Sequence, residues 1–314
     1  MKRFFTFLLS ILLVGTISSH GESKDQFAVK YYTIEEIRGI KAGYFFEIQI
    51  TKGNSNKMEI SAPKETVECV IVEKKNGVLF LDIDWSKAPS RKKISFSTKN
   101  TMSNGKKILY GPISVKMELT TLESITLSGA SKITTIGTFE ANEIECKLSG
   151  ASSIKNFETK AKRADIRLSG ASSLLLSGNY EILNLTISGT SKFNNSGNLK
   201  EGTIFISGAS STELSGIMDA NRIKVELSGA SKIKFEGKAN SLELKGSGAI
   251  SANLKELIVQ EGEINLSGAS KAYLNVQERL KAHLSGFSNI EYNFTGKEEN
   301  LSIDKSGKSR AKKF

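Results

Sequence analysis

Histidine is almost missing from this chain. Only two occur in 314 residues: His20, within the N-terminal leader, and a solitary His283. An acyl-transfer triad needs an imidazole beside its nucleophile, and no G-x-S-x-G turn is present either, so hydrolase chemistry of that kind has little support. Proline is also rare, with 3 residues against 27 glycines, which argues for tight turns and against rigid linkers. No run of about 18 apolar residues follows the N-terminus, so no transmembrane helix is expected. The G-G-x-G-x-D calcium repeat is absent, and neither a metal nor a cofactor is expected. Cysteine occurs twice, at Cys69 and Cys146. Both alternate with apolar neighbours, so packed free thiols are the favoured reading. A disulfide would require their Cα atoms within about 7 Å.

What is present begins with a leader. Lys2 and Arg3 precede the apolar stretch Phe4–Ile17, and Ser18, Ser19 and Gly21 are small enough for a cleavage site. Residues 1–21 read as a secretory signal peptide. No cysteine lies near the cleavage region, so a lipoprotein anchor is not expected. The expected location is the periplasm, the outer-membrane surface or the medium. The formal charge of +11 falls to +9 once Lys2 and Arg3 leave with the leader. Basic clusters at Arg91–Lys93, Lys106–Lys107 and Lys305–Lys313 suit solvated faces, or attraction to anionic glycans and other surface polymers. Nucleic acid is not expected as a partner after export.

The dominant signal is an internal repeat. The motif S-G-x-S starts at 128, 149, 169, 188, 207, 228, 267, 285 and 306, and a degraded copy, Ser247-Gly248-Ala249-Ile250, fills the gap. The mean spacing is about 20 residues. Before each mark, apolar and polar residues alternate, as in Ile125-Thr126-Leu127 and Ile166-Arg167-Leu168. That is a strand with one buried face. A second apolar segment follows, starting at Ile133, Ile154, Leu174 and Phe193. Five coils carry another glycine nine residues after the serine: Gly137, Gly178, Gly197, Gly216 and Gly237.

A 20-residue period is too short for a propeller blade and lacks the helix of a leucine-rich repeat. It fits one turn of a parallel β-solenoid, with coils stacked about 4.8 Å apart. Parallel crossovers are overwhelmingly right-handed, so an all-β, right-handed parallel β-helix of about ten coils is expected. The motif becomes a structural corner. Gly129, Gly150, Gly170, Gly189, Gly208 and Gly229 would stack as a glycine-lined bend. Ser128, Ser149, Ser169, Ser188, Ser207 and Ser228 would satisfy backbone groups that the corner frees. Which serine of each motif points inward stays open.

Residues 22–120 are expected as an irregular β region continuous with the solenoid. Strands are read at Tyr44–Ile50, Lys57–Ser61, Val67–Glu73 and Val78–Ile83, with turns at Gly53-Asn54 and Asn76-Gly77. Residues 121–296 form the repeat region. Residues 297–314 are expected as a basic, partly disordered tail, with Leu301–Ile303 offering one more strand.

With these residues in place, the chain resembles the head GIN domain family of auto-transporter adhesins, found in exported proteins of Gram-negative bacteria. The LSGASKI-type repeats carry the resemblance, with Phe45–Gly53, Asn76–Leu79 and Leu122–Gly129. It spans roughly residues 33–295. The resemblance implies a right-handed β-helix and an adhesin role. No trimerising stalk or membrane barrel follows in the sequence.

The functional reading is an exported, non-enzymatic binding module for envelope or host glycans or other surface polymers. One alternative is a structural protein of the envelope that self-assembles through solenoid ends or faces. Another is a carbohydrate-active enzyme, for which Asp82, Asp84, Asp165 and Asp219 are the candidate carboxylates, none with a repeat-matched acidic partner. Trp85 beside the basic cluster Arg91, Lys92 and Lys93 is the candidate binding spot. His283 is expected at an outward, solvated position.

Overall fold

The computed structural model describes residues 27–88, 101–104 and 107–314; the leader and the cluster Arg91–Lys93 lie outside the described residues. The described residues are 70% strand and build a β-solenoid of about 9 turns. Successive coils pair in parallel with the same position stacked on itself. Leu127 sits on Leu148, Leu148 on Leu168, Leu168 on Ile187, and Ile187 on Ile206. This register explains the repeat: a side chain that packs against its own copy can be reused at every level. The interior is a set of apolar columns, and Phe139 and Phe157 in neighbouring coils meet with ring centroids 6.2 Å apart.

Each coil bends where the two-residue alternation breaks. The SGAS motif makes one edge. A second edge falls at left-handed residues: Gly137 (φ 91°), Asn156 (φ 55°), Gly216 (φ 77°) and Gly237 (φ 133°). A third shows as two consecutive exposed residues, such as Lys162-Arg163 and Asn221-Arg222. Three outward surfaces result, one on each leg of the coil.

The first coil carries no motif, and sequence reading missed it. Gly39–Ala42 pairs in parallel with Ser124–Leu127, and Phe46–Lys52 pairs with Lys132–Ile136. Its corner places Tyr44 at φ 58°, where later coils have glycine. Below it, Val78–Leu81 and Ile113–Leu119 supply half a layer each. Antiparallel strands then close this end. Val70–Lys75 pairs with Val78–Ile83 through Asn76 and Gly77, whose φ values of 53° and 75° suit a type I′ hairpin. Lys57–Pro63 pairs with Ile113–Leu119, and Phe27–Thr33 with Lys57–Pro63.

Two local readings change. The strand expected at Val67–Glu73 starts later: Lys64–Val67 is a helical turn, and the strand is Val70–Lys75. The turn fits the position after Pro63, whose fixed φ favours a helix start. Residues 301–313 are also more ordered than a charged tail. Leu301–Lys305 and Arg310–Lys313 stack in parallel on the preceding coil. Ser306-Gly307-Lys308-Ser309 repeats the corner, with Gly307 at φ 66°.

Candidate functional site

The repeated serines are the first place to look for chemistry, and their hydroxyls are engaged with backbone. The second serine of each motif points inward: Ser131, Ser152, Ser172 and Ser231 are at most 1% exposed. Ser152 Oγ donates to the Ser149 carbonyl at 2.8 Å, and Ser231 Oγ to the Ser228 carbonyl at 2.7 Å. The first serine donates to the coil before it, as Ser149 does to Leu127 and Ser207 to Ile187. Between them the glycines stack almost in contact. A Cβ on Gly170 would lie 2.5 Å from the Gly150 carbonyl oxygen, and one on Gly208 2.4 Å from that of Gly189. The main-chain ladder runs through the corner unbroken, with Ala151 N–H donating to Gly129 at 2.7 Å and Ala171 N–H to Gly150 at 2.7 Å. A hydroxyl bound to a carbonyl has no base to take its proton, so the corner is structural material.

Two of the candidate carboxylates, Asp84 and Asp165, are held ionised. Partial burial opposes charge on Asp165, but hydrogen bonds from Arg163 (2.8 Å) and Asn184 (2.8 Å) outweigh it and hold the carboxyl below its usual range. The Ser86 hydroxyl and backbone N–H do the same for Asp84. A general acid at neutral pH needs the opposite shift. Among the described residues, no group of three or more His, Cys, Asp and Glu is arranged to hold a metal ion.

Trp85 does not stand free as a platform. It is partly buried against the core and meets Tyr44 edge-on at 5.7 Å. The residues expected to act with it, Arg91, Lys92 and Lys93, lie outside the described residues. His283 is half-exposed and pairs through Nδ1 with Asp304 of the next coil at 3.0 Å. The serines beside this pair, Ser267 and Ser306, donate to the Gly246 and Leu284 carbonyls.

Two open grooves run over the leg that precedes the corner. One, of about 490 Å³, is lined by Phe205, Glu226, Lys245, Asn265 and the corner serines. The other, of about 370 Å³, continues across Asn265, His283 and Asp304. They share Asn265 and Ser267, so one channel crosses the coils with one outward side chain per coil. Its charges are mutually paired: Lys224 with Glu226 at 3.0 Å and Lys245 with Glu243 at 2.7 Å. Phe205, 39% exposed, stands in its floor with Lys224 Nζ 5.9 Å from the ring centroid.

The leg that follows the corner is different in charge. Its outward positions hold Lys132, Lys155, Lys192, Lys232, Lys234, Lys255, Lys271, Arg310 and Lys312 among serines, asparagines and the fewer acids Glu213, Glu236 and Glu291. Tyr273 lies within this surface, between Lys255 Nζ at 4.3 Å and Lys271 Nζ at 4.4 Å from its ring centroid. Lys132, Lys192, Lys232, Lys271 and Arg310 each directly follow an S-G-x-S mark, and the register stacks these positions on one face.

The geometry agrees with what the chain is similar to. A crystal structure of a putative adhesin from Parabacteroides merdae ATCC 43184 matches with a TM-score of 0.53 at 15% identity, over 92% of this chain and 96% of that one. A second, of a putative adhesin from Bacteroides fragilis NCTC 9343, has a TM-score of 0.57 at 20% identity, over 73% and 97%. A third, from Parabacteroides distasonis ATCC 8503, has a TM-score of 0.50 at 14% identity, over 90% and 98%. At these identities the likeness shows the fold. No curated protein matches the chain. The family described as "Putative auto-transporter adhesin, head GIN domain" matches residues 37–200 and 181–295, and the chain belongs to that family.

Proposed function

We propose that the protein is exported through its residues 1–21 and acts without catalysis, as a binding module that engages repetitive surface polymers such as glycans. The observation that carries this reading is the division of polar groups. Corner hydroxyls satisfy backbone, while the outward legs present hydrogen-bonding and charged side chains one coil apart. A surface with a fixed repeat suits a ligand with a fixed repeat, because each added unit meets an equivalent set of groups. Such sites bind through many weak contacts whose effect multiplies when they are linked. The family's adhesin label and the adhesin titles of similar folds support the same reading. Among the described residues, no helix is long and apolar enough to cross a membrane.

The test is a glycan array combined with binding of the purified protein to whole bacterial and host cells. Retention on a defined set of polymeric glycans is expected. Binding to neither glycans nor cells, by the monomer or any oligomer, would overturn the reading. Turnover of a bound polysaccharide would overturn its non-catalytic part.

A further inference from the structure

We infer that the basic leg after the corner is a docking surface for a linear acidic polysaccharide whose charge falls on alternate sugars; this rests on the polymer-binding reading above.

The observation is one column of outward residues. Strand register stacks Lys192 on Ser211, Ser211 on Lys232, Lys232 on Ser251, Ser251 on Lys271, Lys271 on Asn289 and Asn289 on Arg310. From Lys192 to Arg310 a cation thus recurs at every second coil, with a neutral hydrogen-bonding side chain between; in the coils before it, Ser153 and Ser173 together separate Lys132 from Lys192. At about 4.8 Å per coil, the cations repeat at about 9.6 Å. An extended pyranose chain advances by roughly one strand spacing per sugar. Alternating uronate and neutral sugars would therefore place each carboxylate over a cation, and each neutral sugar over Ser211, Ser251 or Asn289.

Repulsion between stacked like charges also favours alternation. On the leg before the corner, Lys147 stacks directly on Arg167, with Glu145 bridging the two at 2.6 and 3.2 Å. The chain therefore tolerates adjacent cations where an acid joins them. Along the basic column the intervening residues are neutral. Acids do face this surface: Glu291 pairs with Lys271 at 3.0 Å, and Glu213 and Glu236 pair with Lys234 in the next column. Lys192, Lys232 and Arg310 stand exposed. Tyr273 holds Lys255 and Lys271 against its ring at 4.3 and 4.4 Å and so fixes the position of two of the cations on this face. The screening length at physiological salt, about 8 Å, is shorter than the cation spacing, so each charge acts on its own neighbour and position matters more than total charge.

The experiment uses the full chain after leader removal and titrates three probes by calorimetry. They are hyaluronan oligosaccharides, with one carboxylate per disaccharide; oligogalacturonate, with one on every sugar; and phosphatidylglycerol vesicles. Tighter binding of hyaluronan is expected. Each of Lys192→Gln, Lys232→Gln and Arg310→Gln is expected to weaken it about twofold to fivefold, the range of one exposed ion pair. The decisive variant is the charge-conserving pair Lys192→Ser with Ser211→Lys, which moves one cation by a coil and should weaken binding as much as Lys192→Gln. All four positions are solvent-facing, so unchanged melting serves as the folding control. Equal affinity for the shifted pair, preference for oligogalacturonate, or stronger binding to vesicles would each overturn the inference. Retention on another glycan, insensitive to these substitutions, would overturn this surface alone and leave the polymer-binding reading standing. No binding to any polymer would remove both.

Discussion

Gly246 and Ile250 offer the sharpest check on how the coils pack. In every other coil from Leu127 to Leu284 the residue before the motif is leucine or isoleucine, and the fourth motif residue is serine. At 246–250 both are changed at once, to glycine and isoleucine. The structure shows why. A Cβ on Gly246 would lie 2.1 Å from Ile250 Cδ1 and 2.9 Å from Leu266 Cδ2. Ile250 is 2% exposed and fills the space that Leu227 and Leu266 fill in their own coils. What read as a degraded copy is a compensated one. Ile250→Ser should leave a cavity and cost about 2–5 kcal/mol, as large-to-small core changes do. Gly246→Leu should overpack the same space at about 1–3 kcal/mol. The double variant restores the arrangement of the neighbouring coils, where Ser231 and Ser270 donate to the carbonyls of Ser228 and Ser267. Its stability should lie within about 1 kcal/mol of the parent, giving a coupling near or above the usual ceiling of about 3 kcal/mol for contacting residues. Thermal melting followed by circular dichroism reads this directly, at about 2–4 °C per kcal/mol for a chain of this size class. Additive losses in the double variant would refute the exchange of volume between these positions.

Three further outcomes follow from the same geometry. Gly208→Ala should lose about 3 kcal/mol or more, because a left-handed φ of 74° alone costs about 1–2 kcal/mol and the added carbon meets the Gly189 carbonyl. Gly202→Ala, whose Cβ meets only the movable Leu199 Cδ1 at 3.3 Å, should melt at or slightly above the parent temperature; equal losses in the two variants would refute the corner argument. Asn195 is 2% exposed and stacked between Leu176 and Leu214, with no protein partner for either side-chain polar atom. Asn195→Leu should stabilise by about 1–3 kcal/mol in denaturant titration, and a loss would show that the amide is satisfied in solution. Cys69 and Cys146 are buried and not joined to each other by a disulfide, Cys69 Sγ donates to the Glu65 carbonyl at 3.2 Å, and burial pushes the Cys146 thiol well above its ordinary value. Both thiols should react with Ellman's reagent only on unfolding; rapid labelling of the native protein would refute this.

The repeat was legible in the sequence because its cause is one-dimensional. Alternation in Ile125–Leu127 reports a half-buried strand, and recurrence every 20 residues reports a stack whose levels are interchangeable. The coil at Gly39–Lys52 was not legible. Tyr44 stands at its corner where the motif calls for glycine, and stacking beneath Gly129 holds it there.

The sequence by itself determined the solenoid, its period and the positions of its corners, because these depend on residues close together in the chain. Only the tertiary structure decided which serine turns inward, since the corner can bend either way until Ser131 finds the Gly43 carbonyl 88 residues away. Lys192, Lys232, Lys271 and Arg310 each directly follow an S-G-x-S mark, so the repeat itself places them in one column; only the tertiary structure showed that this column faces outward beside Tyr273 and Lys255. The four cations are separated by 40, 39 and 39 positions in the chain and share a column because coils of unequal length close to the same register.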